Sequence, residues 1–230
     1  MSSKKLVSVL MSAFNSEESI SNAIESIITQ EYGELELLIM DDGSKDNTFK
    51  ICKEYSQKYP NIRLFQNKNN IGLTKSLNLL LENSRGEFIA RQDSDDASFI
   101  SRIREQELFL SNNNLDACFT RALIKNKNKK IPGFSLHLPN KVSILYKNPF
   151  IHGTLFIKKT VINELGNYNE KFIYAQDYKL FKDLIVQKYK IGVIKKPLYE
   201  LNMQNNISTN YKKEQAYYAQ CVKKNKIPEN

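Results

Sequence analysis

The chain has 230 residues, 41% of them hydrophobic, a net charge of +9 and three cysteines. That size and apolar content suit one globular domain with a substantial core and exclude a disordered chain. Cys52, Cys118 and Cys221 are too few and too scattered for a disulfide framework or a Cys-based zinc site, and fit a reducing cytoplasm.

Leu6 to Leu10 reads as a compact apolar strand, followed by a turn over Ser12 to Glu18. Ile20, Ala23, Ile24, Ile27 and Ile28 repeat at helical spacing and predict a helix with one inward face. Leu35 to Met40 is a second buried strand that runs into Asp41-Asp42-Gly43-Ser44. Asp46 or Asn47 can cap the next helix, which stops near Tyr59-Pro60-Asn61. Ile62 to Phe65 is a third strand, Asn67 to Gly72 a turn, and Leu73 to Asn83 a helix with Leu77, Leu80 and Leu81 on one side. Phe88 to Arg91 then leads into Gln92-Asp93-Ser94-Asp95-Asp96.

Strand and helix thus alternate through the first hundred residues, the pattern of an α/β fold with a mostly parallel, doubly covered sheet. Ligands of such sheets collect outside the carboxyl ends of the strands. Ala13-Phe14-Asn15, Asp41-Asp42-Gly43-Ser44 and Asp93-Ser94-Asp95-Asp96 occupy three such ends, so they are expected to meet in one crevice. Three carboxylates in four positions repel one another unless a cation neutralises them. Oxygen-only ligands suit a hard divalent ion, Mg²⁺ or Mn²⁺. An acidic turn capping the next helix is the plainer reading of the same residues.

The second half is less regular. Ser101 to Asn112 reads as a helix, Lys125 to Lys130 as a basic surface loop, and Val142 to Tyr146 as a helical turn. His152 to Ile157 is a strand candidate, Thr160 to Leu165 a short helix ended by Gly166, and Tyr178 to Gln187 a helix beginning just after Gln176-Asp177. Of the two histidines, His137 lies in a basic loop with no specific role expected, and His152 beside an apolar strand. Tyr211 to Lys226 reads as a Lys/Tyr-rich terminal helix. No run approaches the roughly 20 apolar residues of a bilayer span, and Met1 to Lys5 lacks the core of a signal peptide. Residues 1–120 hold 13 Lys/Arg and 18 Asp/Glu, a balance of −5, whereas residues 121–230 hold 21 and 7, a balance of +14. A basic half attracts anionic partners, and the terminal helix suits either an anionic membrane surface or a solvated position covering the sheet.

Taken in register, these motifs resemble the family 2 glycosyltransferases, inverting nucleotide-sugar enzymes of the GT-A fold with a Rossmann-like nucleotide-binding first half. The resemblance runs from about Leu6 to Ile194 through Ser12-Ala13-Phe14-Asn15, Asp41 to Thr48, Asn70-Ile71-Gly72-Leu73, the acidic cluster and Gln176-Asp177-Tyr178. Arg102, Gln106 and Asn148-Pro149-Phe150-Ile151-His152 look like members that extend bacterial surface polysaccharides such as lipopolysaccharide or capsule. The division that follows is a glycosyltransferase domain over residues 1–210, with a nucleotide-sugar and metal half at 1–100 and an acceptor half at 101–210, and a basic helix at 211–230.

The resemblance implies that Ala13, Phe14 and Asn15 line a uridine pocket, that Asp42 accepts a hydrogen bond from the uracil ring with Asp41 supporting it, and that Lys75 lies near the nucleotide. It implies Asp93 and Asp95 as metal ligands, Asp96 facing the sugar, and Asp177 as general base. His152 and Arg102 are candidate acceptor or diphosphate contacts. The implied donor is a UDP-hexose or UDP-N-acetylhexosamine, with galactose slightly favoured, and the implied acceptor a glycan or lipid-linked glycan at the inner face of the membrane. Ala13 stands where Pro is common and Gln176 where Glu is usual. The second departure removes a negative charge beside the base. Asp177, just before a helix, is expected to be kept ionised by the positive helix end. A nucleotidyltransferase is the competing enzyme reading, but the first loop lacks a Gly-rich phosphate cradle. A nucleic-acid-binding module is the non-enzymatic one. The basic residues are scattered and form no recognised motif, so no nucleic-acid partner is expected.

Overall fold

The computed structural model describes residues 5–127, 129–133, 140–203 and 211–229. His137 lies outside the described residues. The first half follows the expected alternation: β1 (Val7–Ala13), α1 (Ile20–Ile28), β2 (Leu35–Asp41), α2 (Thr48–Lys58), β3 (Ile62–Gln66), α3 (Leu73–Asn83) and β4 (Phe88–Arg91). The four strands pair in parallel in the order β3-β2-β1-β4. β2 is buried along its whole length and β1 nearly so, which is why both read as unbroken apolar runs.

Successive side chains of each strand feed opposite faces. Val9, Met11, Leu37 and Ile39 pack with Ile20, Ile24 and Ile27 of α1 on one face. Leu10, Leu38 and Met40 pack with Leu77, Leu80 and Leu81 of α3 on the other. The register sets Ala13 opposite Asp41, so the first two strands end level.

The second half continues the same sheet with mixed polarity. It comprises β5 (Ala97–Ser98), α4 (Arg102–Asn112), β6 (Ala117–Ile124), β7 (Lys129–Ile131), α5 (Asn140–Tyr146), a 3-10 turn at His152–Thr154, β8 (Phe156–Lys158), α6 (Lys159–Glu164), α7 (Gln176–Val186), β9 (Ile191–Leu201) and α8 (Lys212–Lys224). β8 lies antiparallel between β4 and β6, and β9 runs parallel to β6. Strands β6 and β9 were not anticipated from the sequence. β9 carries exposed Lys195 and Lys196 and a mid-strand proline, features that argue against a strand. The ladder accommodates Pro197 opposite Arg121, where the β6–β9 register shifts. Of the stretch expected as a basic surface loop, Lys125 to Lys127 form an exposed turn, while Lys129 and Lys130 belong to β7, an edge strand on β6.

Helix α8 is not a free tail. Tyr218, Cys221 and Val222 are buried in the larger core with Phe172. The Lys182 ammonium from α7 donates to the carbonyls of Val222 (2.6 Å) and Lys223 (3.1 Å) and to Asn225 Oδ1 (2.7 Å), tying down the C-terminal end of α8.

Candidate active site

The loops after β1, β2 and β4 are stitched together by hydrogen bonds. The Asp42 N–H donates to the Ala13 carbonyl (2.8 Å), the Asn15 N–H to Ser44 Oγ (3.0 Å), and the Lys45 N–H to Asn15 Oδ1 (2.8 Å). The Ser16 N–H donates to Thr48 Oγ1 (2.7 Å). Ser94 closes the set from the acidic loop: its hydroxyl meets the Ser16 hydroxyl at 2.9 Å, and its carbonyl accepts from the Ser19 hydroxyl at 3.0 Å. The three loop motifs expected to meet at the strand ends are therefore in contact. Ala13 is buried as the last residue of β1, Phe14 just after it is 44% exposed, and Asn15 is exposed with a left-handed φ of 49°.

Asp42 is buried and heavily bonded. Its Oδ1 accepts from Asn67 Nδ2 (2.8 Å) and the Ile71 N–H (2.9 Å), its Oδ2 from the Gly72 N–H (2.9 Å). A carboxylate offers about four lone pairs, and these three bonds fill three of them. Asp41, also buried, accepts one bond from Gln66 Nε2 (3.2 Å), and its other oxygen has no partner. Gly43 permits the close pass of the Asn67–Gly72 turn. Its φ is +75°, and a Cβ there would stand 2.6 Å from the backbone carbon of Asn69. Lys75 is exposed in the first turn of α3.

The acidic loop rests on two buried arginines. Arg91 donates to Asp93 Oδ1 (2.7 Å) and to the Leu10 carbonyl (2.9 Å). Arg102, expected as a diphosphate or acceptor contact, is instead 0% exposed under the loop. It is held by Gln106, Gln92, Ser98 and the Arg91 carbonyl, and lies over the Tyr199 ring. With every guanidinium nitrogen engaged inside the protein, Arg102 braces the loop. Tyr199 accepts the Asp93 N–H at 3.1 Å.

Asp93 and Asp95 remain partly exposed. Asp96, expected to face the sugar, turns inward. It is 3% exposed, and its Oδ1 accepts the Asn202 N–H at 2.7 Å, the partner that the buried side chain finds inside the fold. Desolvation, then the charge of Asp93, pushes Asp95 up to about 6. Desolvation, then Asp93 and Asp95, pushes Asp96 up to about 8. The loop thus carries more negative charge than its surroundings neutralise, and its donors are all hard oxygens. Those properties fit a divalent cation. Among the described residues no three His, Cys, Asp or Glu side chains are grouped to hold one, so a cation on Asp93 and Asp95 needs further oxygens from its ligand.

The remaining candidates come from the second half. The turn at His152–Thr154 backs onto the acidic loop, since a Cβ at Gly153 would lie 2.7 Å from Asp93 Oδ2. His152 Nε2 meets the Tyr168 hydroxyl at 2.8 Å, and its ring packs edge-on to Phe181. Burial, then nearby Arg91, pushes the imidazole down to about 3, so it is uncharged at neutral pH.

Asp177 lies inside the first turn of α7 and keeps part of its surface open. Its Oδ1 accepts the Tyr178 N–H (2.7 Å) and its Oδ2 the Asn148 side-chain amide (2.6 Å). The helix end was expected to favour the charged form, but desolvation outweighs it. With the charge of Asp93 adding to the effect, the carboxyl is pushed up to about 6. Arg91, Gln92, Asn148 and Tyr199 were not singled out by the sequence reading as site residues. Arg91 left one signal, a charged residue closing an apolar strand directly before the carboxylates. Tyr199 left none.

The family model for glycosyl transferase family 2 matches residues 8–189. A putative glycosyltransferase of Bacillus subtilis, EpsE, is 34% identical over 171 residues, covering 73% of this chain and 62% of that protein. The chain thus spans less than two thirds of that relative's length. The Escherichia coli protein WfgD, a UDP-Glc:alpha-D-GlcNAc-diphosphoundecaprenol beta-1,3-glucosyltransferase, is 33% identical over 217 residues, covering 91% of this chain and 82% of that one. In fold the chain resembles the mannosyltransferase PcManGT of Pyrobaculum calidifontis, solved with GDP-Man and Mn²⁺. The TM-score is 0.76 at 17% identity, over 99% of this chain and 67% of that one.

Proposed function

The chain belongs to glycosyl transferase family 2, and from that premise we propose that it is an inverting transferase. In this reading it moves a hexose or N-acetylhexosamine from a UDP-sugar to a glycan or lipid-linked acceptor in bacterial surface-glycan synthesis. The observation that carries the reading is the stitching of the β1, β2 and β4 loops through Asn15, Ser16, Ser44 and Ser94. It brings the Phe14–Asn15 turn, the Asp42 loop and the carboxylates Asp93 and Asp95 together at neighbouring strand ends. The UDP-glucose donor and diphosphoundecaprenol-linked acceptor of the E. coli relative support it. The Asn148–His152 resemblance leans toward galactose and that relative's name toward glucose.

Each residue then has a task. The free lone pair of Asp42 receives the uracil N–H, and Phe14 covers the base. Asp93 and Asp95 would hold a divalent cation, which when bound supplies Lewis-acid neutralisation of the departing diphosphate. Asp177 accepts the proton of the acceptor hydroxyl as its oxygen attacks the anomeric carbon. The bond from that carbon to UDP breaks on the opposite face, so the configuration inverts. A carboxyl near 6 is well matched to this role, being mostly ionised at neutral pH yet more basic than an ordinary Asp.

Two substitutions test the proposal, with UDP release from a panel of UDP-sugars as the readout. Asp177→Asn is expected to retain donor binding and to lose transfer by about 10²-fold or more; a near-normal rate removes Asp177 from the mechanism. Asp95→Ala is expected to lose the Mn²⁺-dependent part of UDP affinity, and unchanged affinity counts against the carboxylate pair.

A further inference from the structure

Asn148 lies between α5 and the His152 turn and contacts the carboxylate to which the mechanism assigns the proton. Its Oδ1 accepts the Phe150 N–H at 3.1 Å across Pro149. Proline presets the turn and has no N–H of its own to compete. That bond decides which way the amide faces: the oxygen is committed to Phe150, so the NH₂ group must point the other way. There it meets Asp177 Oδ2 at 2.6 Å.

The anchor is stiff. The Phe150 ring stacks on Phe119 of β6 at 4.2 Å and meets Phe181 edge-on at 5.6 Å. Phe181 belongs to α7, the helix that carries Asp177. One turn before Asn148, the Ile144 carbonyl accepts the Tyr178 hydroxyl, also from α7. The segment is thus clamped to α7 on both sides of Asn148, and donor and carboxylate move together.

We propose that Asn148 is the positioning residue of the base: its locked amide grips one oxygen of Asp177 and fixes the carboxylate in one orientation. The inference rests on the reading of Asp177 as base. Other charged and titratable groups bear on that carboxylate. Asp93 from the acidic loop opposes ionisation, and buried Tyr168, bonded to uncharged His152, lies within its field. Asn148, with the Tyr178 N–H, works against them as the side-chain donor to this carboxylate, so its loss has a direction. The carboxylate becomes harder to ionise and less well aimed.

The test compares Asn148→Ser, which can still close the turn on the Phe150 N–H but cannot reach Asp177, with Asn148→Asp, which sets a second carboxylate against it. The titration of Asp177 is read directly by ¹³C-carboxyl NMR, with Asp177→Asn identifying the resonance, and the pH dependence of UDP release from UDP-glucose is measured in parallel. Both Asn148 variants should raise the Asp177 midpoint, Asn148→Asp by a unit or more, and move the acid limb of kcat/KM with it. UDP release near pH 6.5 then falls about threefold for each unit of rise and recovers at higher pH, with the donor KM little changed. If Asp177→Asn is inactive yet both variants leave the midpoint and the acid limb where they were, the positioning role is overturned and the base stands. If Asp177→Asn keeps its rate, the base itself falls and the inference with it.

Discussion

Carboxylates of one molecule meet very different surroundings. Asp42 is buried but surrounded by three donors, whereas Asp95, Asp96 and Asp177 meet more desolvation and like charge than hydrogen bonding. The consequence for stability has a definite sign. A carboxyl raised above its ordinary value of about 3.9 keeps its proton in the folded chain over a range where the unfolded chain has lost it. The folded state is therefore favoured most at low pH within this range and loses that advantage as pH climbs to about 8, where Asp96 ionises. Glu36, held low by donors from Ser8 and Arg85 despite its desolvation, acts in the opposite sense, but below about pH 4.5. The metal-free protein is thus expected to unfold at progressively lower temperature between pH 5 and pH 8. The slope should be reduced in the Asp95→Asn/Asp96→Asn double variant, and Mn²⁺ should raise the wild-type midpoint more at pH 8 than at pH 5. Calorimetry checks this, and superimposable pH profiles for the two proteins would contradict it.

Among the elements, helix α8 depends most visibly on a single distant residue. Its interior face is short, with Tyr218, Cys221 and Val222 buried, and Lys182 of α7 donates to the Val222 and Lys223 carbonyls of its last turn, where helix carbonyls run short of backbone donors. Lys182→Met keeps the aliphatic stem and removes the donors. Bonds from charged groups contribute about 1.5–3 kcal/mol each at most, shared here among three acceptors. A loss of about 1–3 kcal/mol is expected in urea unfolding, with faster amide exchange confined to α8. Exchange rising equally over the whole chain would show that α8 does not open as a unit. Removing residues 211–230 altogether uncovers Phe172 and Tyr174, which pack on Tyr218, so truncation disturbs the core as well as the surface.

For the whole molecule the charge division is the dominant long-range feature. Residues 121–230 carry +14, and Lys212, Lys213, Lys223 and Lys224 of α8 are exposed. No helix among the described residues is long and apolar enough to cross a membrane. If the basic half meets an anionic leaflet, changing those four lysines to glutamine weakens the attraction, at about 1 kcal/mol per charge near the surface. Co-sedimentation with phosphatidylserine-containing vesicles should then fall steeply while the fold is retained. Sedimentation that is unchanged, or insensitive to salt, leaves α8 with its packing role alone.

The sequence alone determined the first four strands, their helices and the three loop motifs that meet at the strand ends. Each of these is a local pattern: an apolar run between turn residues, or a repeat at helical spacing, dictates its own structure and which face it buries. Tertiary structure alone decided the rest. Pro197 sits in a strand because a partner supplies a register shift, and Lys129 to Ile131 form an edge strand because β6 is there to pair with. Arg102 lies beneath the acidic loop instead of in the crevice, Asp96 turns to Asn202, and Asp177 titrates high where a helix end by itself would lower it. Burial and partners distant in the chain set the behaviour of a charge, and both exist only once the sheet has closed around it.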